Sequence, residues 1–146
     1  YRTIMSDSVK QGQAVFMDFK PYAPSKDVPA GFVATPVYHN GQKIGGLAFQ
    51  MPIERINKIM SEATGLGQTG ETYIVGADKL MRSQSRLVKE NTILDHKIDT
   101  PTVQAALKGK SGVDIVSDER NKQVYSAYRS IDFLGVPFAI LAEQDQ

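Results

Sequence analysis

Residues 65–86 constrain the fold more than any other stretch of this 146-residue chain. They open on Gly65-Leu66-Gly67-Gln68-Thr69-Gly70, where three glycines in six positions predict a flexible loop. Glu71-Thr72-Tyr73-Ile74-Val75 follows, rich in the β-branched and aromatic side chains that suit a pleated surface. Gly76-Ala77-Asp78-Lys79 then reads as a tight turn and residues 80–86 as a returning strand, so the stretch predicts a β-hairpin. A second hairpin is predicted at His39-Asn40-Gly41-Gln42, between strands over 31–38 and 43–50. Asn-Gly is the strongest short signal of this kind, because both residues tolerate positive φ.

The remaining segments fill in around these hairpins. Residues 1–13 are polar, with Ile4, Met5 and Val9 as apolar positions, and predict a short helix ending near Gly12. A strand is expected over 14–19. An extended loop is expected over 20–29, which holds Pro21, Pro24 and Pro29. Pro52 suits the first turn of a helix whose Ile53, Ile56, Ile59 and Met60 recur at helical spacing. Residues 87–99 lack periodicity and predict a long loop over one face of the sheet. Thr100-Pro101 caps a short helix stopped at Gly109. Strands over 112–117, 123–129 and 136–142 complete the chain. The last is apolar on both faces, which implies burial on both, and the polar run Glu143-Gln144-Asp145-Gln146 is expected to leave the core.

Composition excludes several classes of function. Cysteine is absent, so thiol catalysis, disulfides and cysteine metal sites are ruled out, and an oxidising compartment is compatible. A net charge of +1 gives no reason to expect nucleic acid as a partner. No apolar run approaches the ~20 residues that span a bilayer, and no signal-peptide pattern is present. His39 and His96 have no carboxylates at ligand spacing, so no metal site is expected. The loop 65–70 superficially resembles a phosphate loop, but a strand follows it and the Lys-Ser/Thr pair is missing. No nucleophile-elbow signature occurs. No catalytic residue and no cofactor is expected.

Gly67-Gln68-Thr69-Gly70-Glu71-Thr72-Tyr73 running into Met81-Arg82-Ser83-Gln84-Ser85-Arg86 resembles the extracytoplasmic Cache-type sensor domains of bacterial chemoreceptors. Three further blocks are similar to the same branch. They are Phe19-Lys20-Pro21-Tyr22-Ala23-Pro24-Ser25, Pro29-Ala30-Gly31-Phe32-Val33-Ala34-Thr35-Pro36, and Gln50-Met51-Pro52-Ile53-Glu54-Arg55-Ile56-Asn57. The resemblance implies an α+β fold, a PAS-like antiparallel sheet with flanking helices, preceded by a truncated second Cache unit. Residues 1–51 would be the C-terminal part of a membrane-distal unit, 52–64 a linker helix and 65–146 a membrane-proximal unit. Double-Cache receptors for amino acids and amines use an Arg-Trp-Tyr helix motif and an aspartate near the end of the distal unit's last strand. This chain has no tryptophan, and the matching strand end reads Phe49-Gln50-Met51, so a ligand ammonium finds no carboxylate there.

Seven residues are candidates for ligand contact. Arg82 and Arg86, at i and i+4 of a strand, share one face and can grip a carboxylate. The alternative is that they hold down the 87–99 loop through its acidic residues. Ser83 and Ser85 lie on the opposite face and offer hydroxyls. Tyr73, Tyr125 and Tyr128, expected on neighbouring strands, combine an apolar body with a polar tip, which suits either a small-ligand pocket or a half-buried sheet surface. Tyr22 has the same character near a distal pocket.

These readings together imply the periplasmic sensing region of a membrane-anchored chemoreceptor, homodimeric in its full-length form. It would bind a small molecule, with a carboxylate as one class, and pass a conformational signal through its last strand. A histidine kinase or nucleotide cyclase sensor and a ligand-free structural spacer are the alternatives.

Overall fold

The computed structural model describes residues 12–146. The helix expected over 1–13 lies almost wholly outside the described residues. The chain divides into two compact units. Residues 12–53 with Phe133–Val136 make the first, and Glu54–Asp132 with Pro137–Gln146 make the second.

The first unit is built on a three-stranded antiparallel sheet of order β1-β2-β3, comprising Val15–Pro21, Pro29–His39 and Gln42–Pro52. Ala34 faces Val15 on one side and Ala48 on the other. Small residues in that row let Phe32 and Tyr22 pack beside it, with ring centroids 5.0 Å apart and edge to face. Val15, Ala30, Phe32 and Ala34 form the core of this unit. The β2–β3 turn is the two-residue type, with Asn40 at φ 49° and Gly41 at φ 76°. The proline-rich connection is not extended as expected. Ala23–Ser25 form one 3-10 turn, and Lys26 (φ 54°) and Asp27 (φ 62°) then turn the chain back. Proline's fixed φ suits such a turn as well as it suits extended chain.

Helix α1 spans Ile53–Met60. Ile53 is buried and Ile56, Asn57 and Met60 are half-buried, whereas Ile59 is 66% exposed. The inward stripe is therefore 53, 56, 57 and 60, the i, i+3, i+4, i+7 set, and Ile59 falls outside it.

The second unit carries a four-stranded sheet of order β4-β7-β6-β5. β4 is Glu71–Gly76, β5 is Gly112–Ser117, β6 is Gln123–Phe133 and β7 is Val136–Asp145. β4 pairs with β7, and β5 with β6, in antiparallel fashion. Helix α2, Pro101–Leu107, begins at Thr100, whose side chain accepts the Val103 amide, and Gly109 beyond its end takes φ 84°. The core is Tyr73, Val75, Met81, Ile98, Val103, Ala106, Ala139 and Leu141. It is thus one face of the sheet, closed by α2 and by the 80–99 segment.

Two expectations need correction here. β6 continues past Arg129 to Phe133, because Leu134 (φ 52°) and Gly135 (φ 83°) make a two-residue β6–β7 turn. Residues 80–86 are not a strand. Only isolated bridges pair Val75 with Met81 and Leu80 with Lys97, after which the chain leaves the sheet. Among the described residues no helix is long and apolar enough to cross a membrane.

Candidate functional site

The covered face of the second sheet is where most of the sequence-chosen residues lie, and the 80–99 segment that covers it is held by side chains. β4 is an edge strand, and Ile74 there finds no second strand. Its carbonyl accepts the Arg82 amide at 2.7 Å, and its amide donates to Ser83 Oγ at 3.1 Å. A serine hydroxyl thus replaces a ladder carbonyl, and this substitution ends the hairpin. Thr92 Oγ1 accepts the Ser85 amide at 2.9 Å and donates to the Ser83 carbonyl at 3.2 Å. The Gln84 amide donates to Asn57 Oδ1 on α1 at 2.7 Å, while its side chain reaches the Glu90 carbonyl at 2.8 Å.

The two arginines do not share a face. Arg82 is 2% exposed and folds back over the turn, donating to the Leu80 carbonyl and to Asp78 Oδ2, each at 2.8 Å. Burial works against ionisation of Asp78, but its bonds from Arg82 and from the Leu80 amide outweigh this and hold its carboxyl below the ordinary range. Arg86 points the other way and clamps the glycine loop, donating to the carbonyls of Gly70 (2.6 Å) and Gly67 (3.2 Å). Asp78, with which Arg82 pairs, lies before the 87–99 loop, and these bonds of Arg86 go to backbone carbonyls. The i, i+4 geometry of a strand never forms, which is why the two guanidinium groups diverge.

A Cβ built on Gly76 would collide with the Arg82 guanidinium. Gly76→Ala should therefore push Arg82 from its seat and cost about 1–3 kcal/mol, the usual penalty for inserting a methyl into a packed site. Chemical denaturation checks this, and an unchanged midpoint would mean the arginine is free to move.

The serines and tyrosines are distributed unequally. Ser83 is fully buried, and Ser85 donates from Oγ to Glu71 Oε2 at 2.6 Å. Tyr73 is 2% exposed, and its hydroxyl donates to Glu143 Oε2 at 2.8 Å. Burial, reinforced by Glu143, pushes the Tyr73 phenol far above its ordinary range. β7 lies between β4 and β6, so Tyr73 is not on a strand adjacent to Tyr125 and Tyr128. Tyr125 is 48% exposed and, by strand alternation, occupies the face opposite to buried Val124 and Ser126. Tyr128 is half-buried against the core, and its bond with Asp114 raises its phenol.

Sequence reasoning missed the carboxylates of this face. Glu143 was expected to leave the core, yet it is 7% exposed. Its signal was the alternation Ala139, Leu141, Glu143, all on the inner face of β7. Glu71 stands directly opposite it on β4. Burial pushes both carboxyls above the ordinary glutamate value of 4.5, and Glu119 adds to this. The Ser85 bond pulls Glu71 down, and the Ser126 and Tyr73 bonds pull Glu143 down, without cancelling the shift. For raised carboxyls the folded state binds more protons than the unfolded one as pH climbs from 4.5 through the folded value. Their contribution to stability is accordingly largest in acid and declines across that window.

The opposite face is more open. Val113, Ile115 and Tyr125 are exposed there at 68%, 52% and 48%. A groove of about 260 Å³ runs along it, lined by Thr72, Ala127, Tyr128, Arg129, Ile140 and Ala142 among others. Tyr128 is the only sequence-chosen candidate that lines it. Among the described residues no cluster of His, Asp or Glu side chains is arranged to hold a metal ion.

No protein-family model matches this sequence, and no curated protein matches it. Solved structures do match in fold. The ligand-binding domain of the Pseudomonas aeruginosa amino-acid chemoreceptor PctC, solved with GABA, superposes with a TM-score of 0.73 at 18% identity, over 99% of this chain and 61% of that one. This chain has the fold of a chemoreceptor ligand-binding domain. The periplasmic sensory domain of Campylobacter jejuni Tlp1 gives a TM-score of 0.69 at 17% identity, covering 92% of this chain and 50% of that one. The extracellular domain of mmHK1S-Z2, named as a histidine kinase, gives 0.65 at 15% identity, with 92% and 52% covered. The chain thus spans between half and about three-fifths of the length of these neighbours. The fold is α+β, with antiparallel sheets and few helices, as in these ligand-binding domains.

Proposed function

We propose that this chain is the extracytoplasmic, periplasmic sensing region of a bacterial membrane receptor of the chemotaxis class. It binds a small molecule and passes on a conformational change without making or breaking a bond. The observation that carries this reading is the superposition over 99% of the chain on a chemoreceptor ligand-binding domain. The partial coverage of that neighbour fits the division expected from the sequence. Residues 1–51 would end a membrane-distal unit, 52–64 would link, and 65–146 would form the membrane-proximal unit. Membrane anchoring and homodimerisation belong to the full-length receptor in this reading.

The groove on the open face is the ligand site we favour. It offers an apolar floor of Ala127, Ile140 and Ala142, with Arg129 beside it as a cation. That combination suits a small carboxylate with an apolar body. Arg82, Ser83, Ser85 and Arg86 already bond to the protein, which supports a structural role for them. A receptor of this kind works by population shift, since a ligand held better in one arrangement of the sheet enriches that arrangement.

A thermal-shift screen against small carboxylates, amino acids and sugars tests the proposal. A carboxylate should raise the melting temperature in a saturable way, and Arg129→Ala should remove the rise while leaving the unliganded melting point nearly unchanged. A screen in which sugars alone stabilise the protein would overturn the carboxylate assignment.

A further inference from the structure

The covered face of the second unit holds a chain of hydroxyls that ends on one carboxylate. The Val103 amide donates to Thr100 Oγ1 at 3.4 Å, and the hydroxyls of Thr100 and Thr102 meet at 3.1 Å. Ser126 Oγ lies 3.0 Å from Thr102 Oγ1 and 2.6 Å from Glu143 Oε1. Tyr73 donates to the other carboxylate oxygen at 2.8 Å. Exposure is 6% at Thr100, 1% at Thr102, 0% at Ser126, 2% at Tyr73 and 7% at Glu143, so water does not complete these bonds.

Each hydroxyl owns one proton, and this fixes the direction of the chain. With Glu143 ionised, Ser126 donates to it, Thr102 donates to Ser126 and Thr100 donates to Thr102. With a proton on Oε1, Glu143 donates to Ser126 and every link reverses, so that Thr100 no longer has Thr102 as its acceptor. A proton on Oε2 displaces the Tyr73 proton in the same way. The two states therefore differ at the hydroxyl that receives the first amide bond of α2, three links away.

We propose that Glu143 is a proton-binding residue whose state sets the direction of this chain, so that the covered face of the second unit responds to pH. The groups around it agree. On β4, Glu71 stands opposite and is bonded by Ser85, and the charge of Arg120 acts on it as a smaller, opposing influence. In the β5–β6 turn Asp118 and Glu119 add negative charge, while Arg120 is taken up by Asp118 and Asp145, and Lys122 also pairs with Asp145. His96 lies 3.9 Å from Glu119. Arg86 holds carbonyls of the glycine loop. On β5, Asp114 faces Ser126 in register and engages Tyr128. Before α2, Asp99 is held by Lys79 and Gln104. Use of the proton as a stimulus rests on the sensory reading above, whereas the titration itself does not.

Carboxyl-carbon NMR of the 146-residue chain, followed from pH 8 to pH 4, tests the titration. Glu143 should titrate above the ordinary glutamate range, and the Val103 amide resonance should move with the same midpoint. Ser126→Ala should leave the Glu143 titration in place and remove the Val103 response. Tyr73→Phe should raise the midpoint, because it deletes a donor to the carboxylate. A Glu143 midpoint within the ordinary range, or a Val103 response that survives Ser126→Ala, overturns the proposal. These readouts need no receptor activity, so their failure is distinct from failure of the sensory reading.

Discussion

Leu141→Ala should destabilise the protein by roughly 2–5 kcal/mol, the range for emptying a fully enclosed leucine site. Leu141 is 1% exposed, lies directly opposite Tyr73 on β4, and belongs to the core closed by α2. The neighbouring Ile140 points to the open face and is only half-buried. Ile140→Ala should cost clearly less, because its lost area was already partly wet. Denaturant midpoints at constant slope separate the two. Equal losses at both positions would mean that β7 is buried alike on its two faces, as its sequence alone suggests, and that the open face is covered.

Arg82→Ala is expected to be nearly as damaging, by about 1.5–3 kcal/mol, on the scale of a buried bond to a charged group. Its ion pair contributes little of this, since the Asp78 side chain is 49% exposed and screened. The larger part comes from the bond to the Leu80 carbonyl and from the guanidinium packed over Gly76. Arg82→Lys should recover only a fraction, because an ammonium cannot span both acceptors with one planar fork. If Arg82→Ala leaves the unliganded melting point unchanged, the arginine does not hold the turn, and a role toward a ligand returns to consideration.

Much of the scaffold could be read from local chemistry. Asn40-Gly41 and Thr100-Pro101 each specify a backbone geometry that few other residues satisfy, and both appear where expected. The β6–β7 turn was harder to read, since leucine at positive φ is unfavourable and only Gly135 hints at it. The returning arm at 80–86 misled for a different reason. Its composition suits a strand, but Arg82 and Ser83 satisfy Ile74 with one backbone and one side-chain bond, and the pairing stops there.

The site was less legible than the scaffold. Tyr73 and Tyr128 were chosen for their chemistry, but the last strand inserts between their strands, and no local pattern encodes that order. At Glu143 polarity argues for exposure and alternation with Leu141 two residues earlier argues for burial, and alternation prevails. A glutamate on an inner face becomes tolerable only through partners such as Tyr73 and Ser126, which are distant in sequence. The groove around Arg129 draws on three strands and the edge of a fourth, so its outline belongs to the sheet and not to any motif.

In the function proposed above, this chain binds a small molecule as a sensor does. The most direct measurement is an amide chemical-shift map of the chain titrated with the best stabilising compound from the carboxylate, amino-acid and sugar screen. Saturable shifts, fitting one dissociation constant, are expected at Thr72, Ala127, Arg129, Ile140 and Ala142. If no compound in the screen gives saturable shifts anywhere in the chain, sensing by this region is contradicted and it acts as a structural spacer.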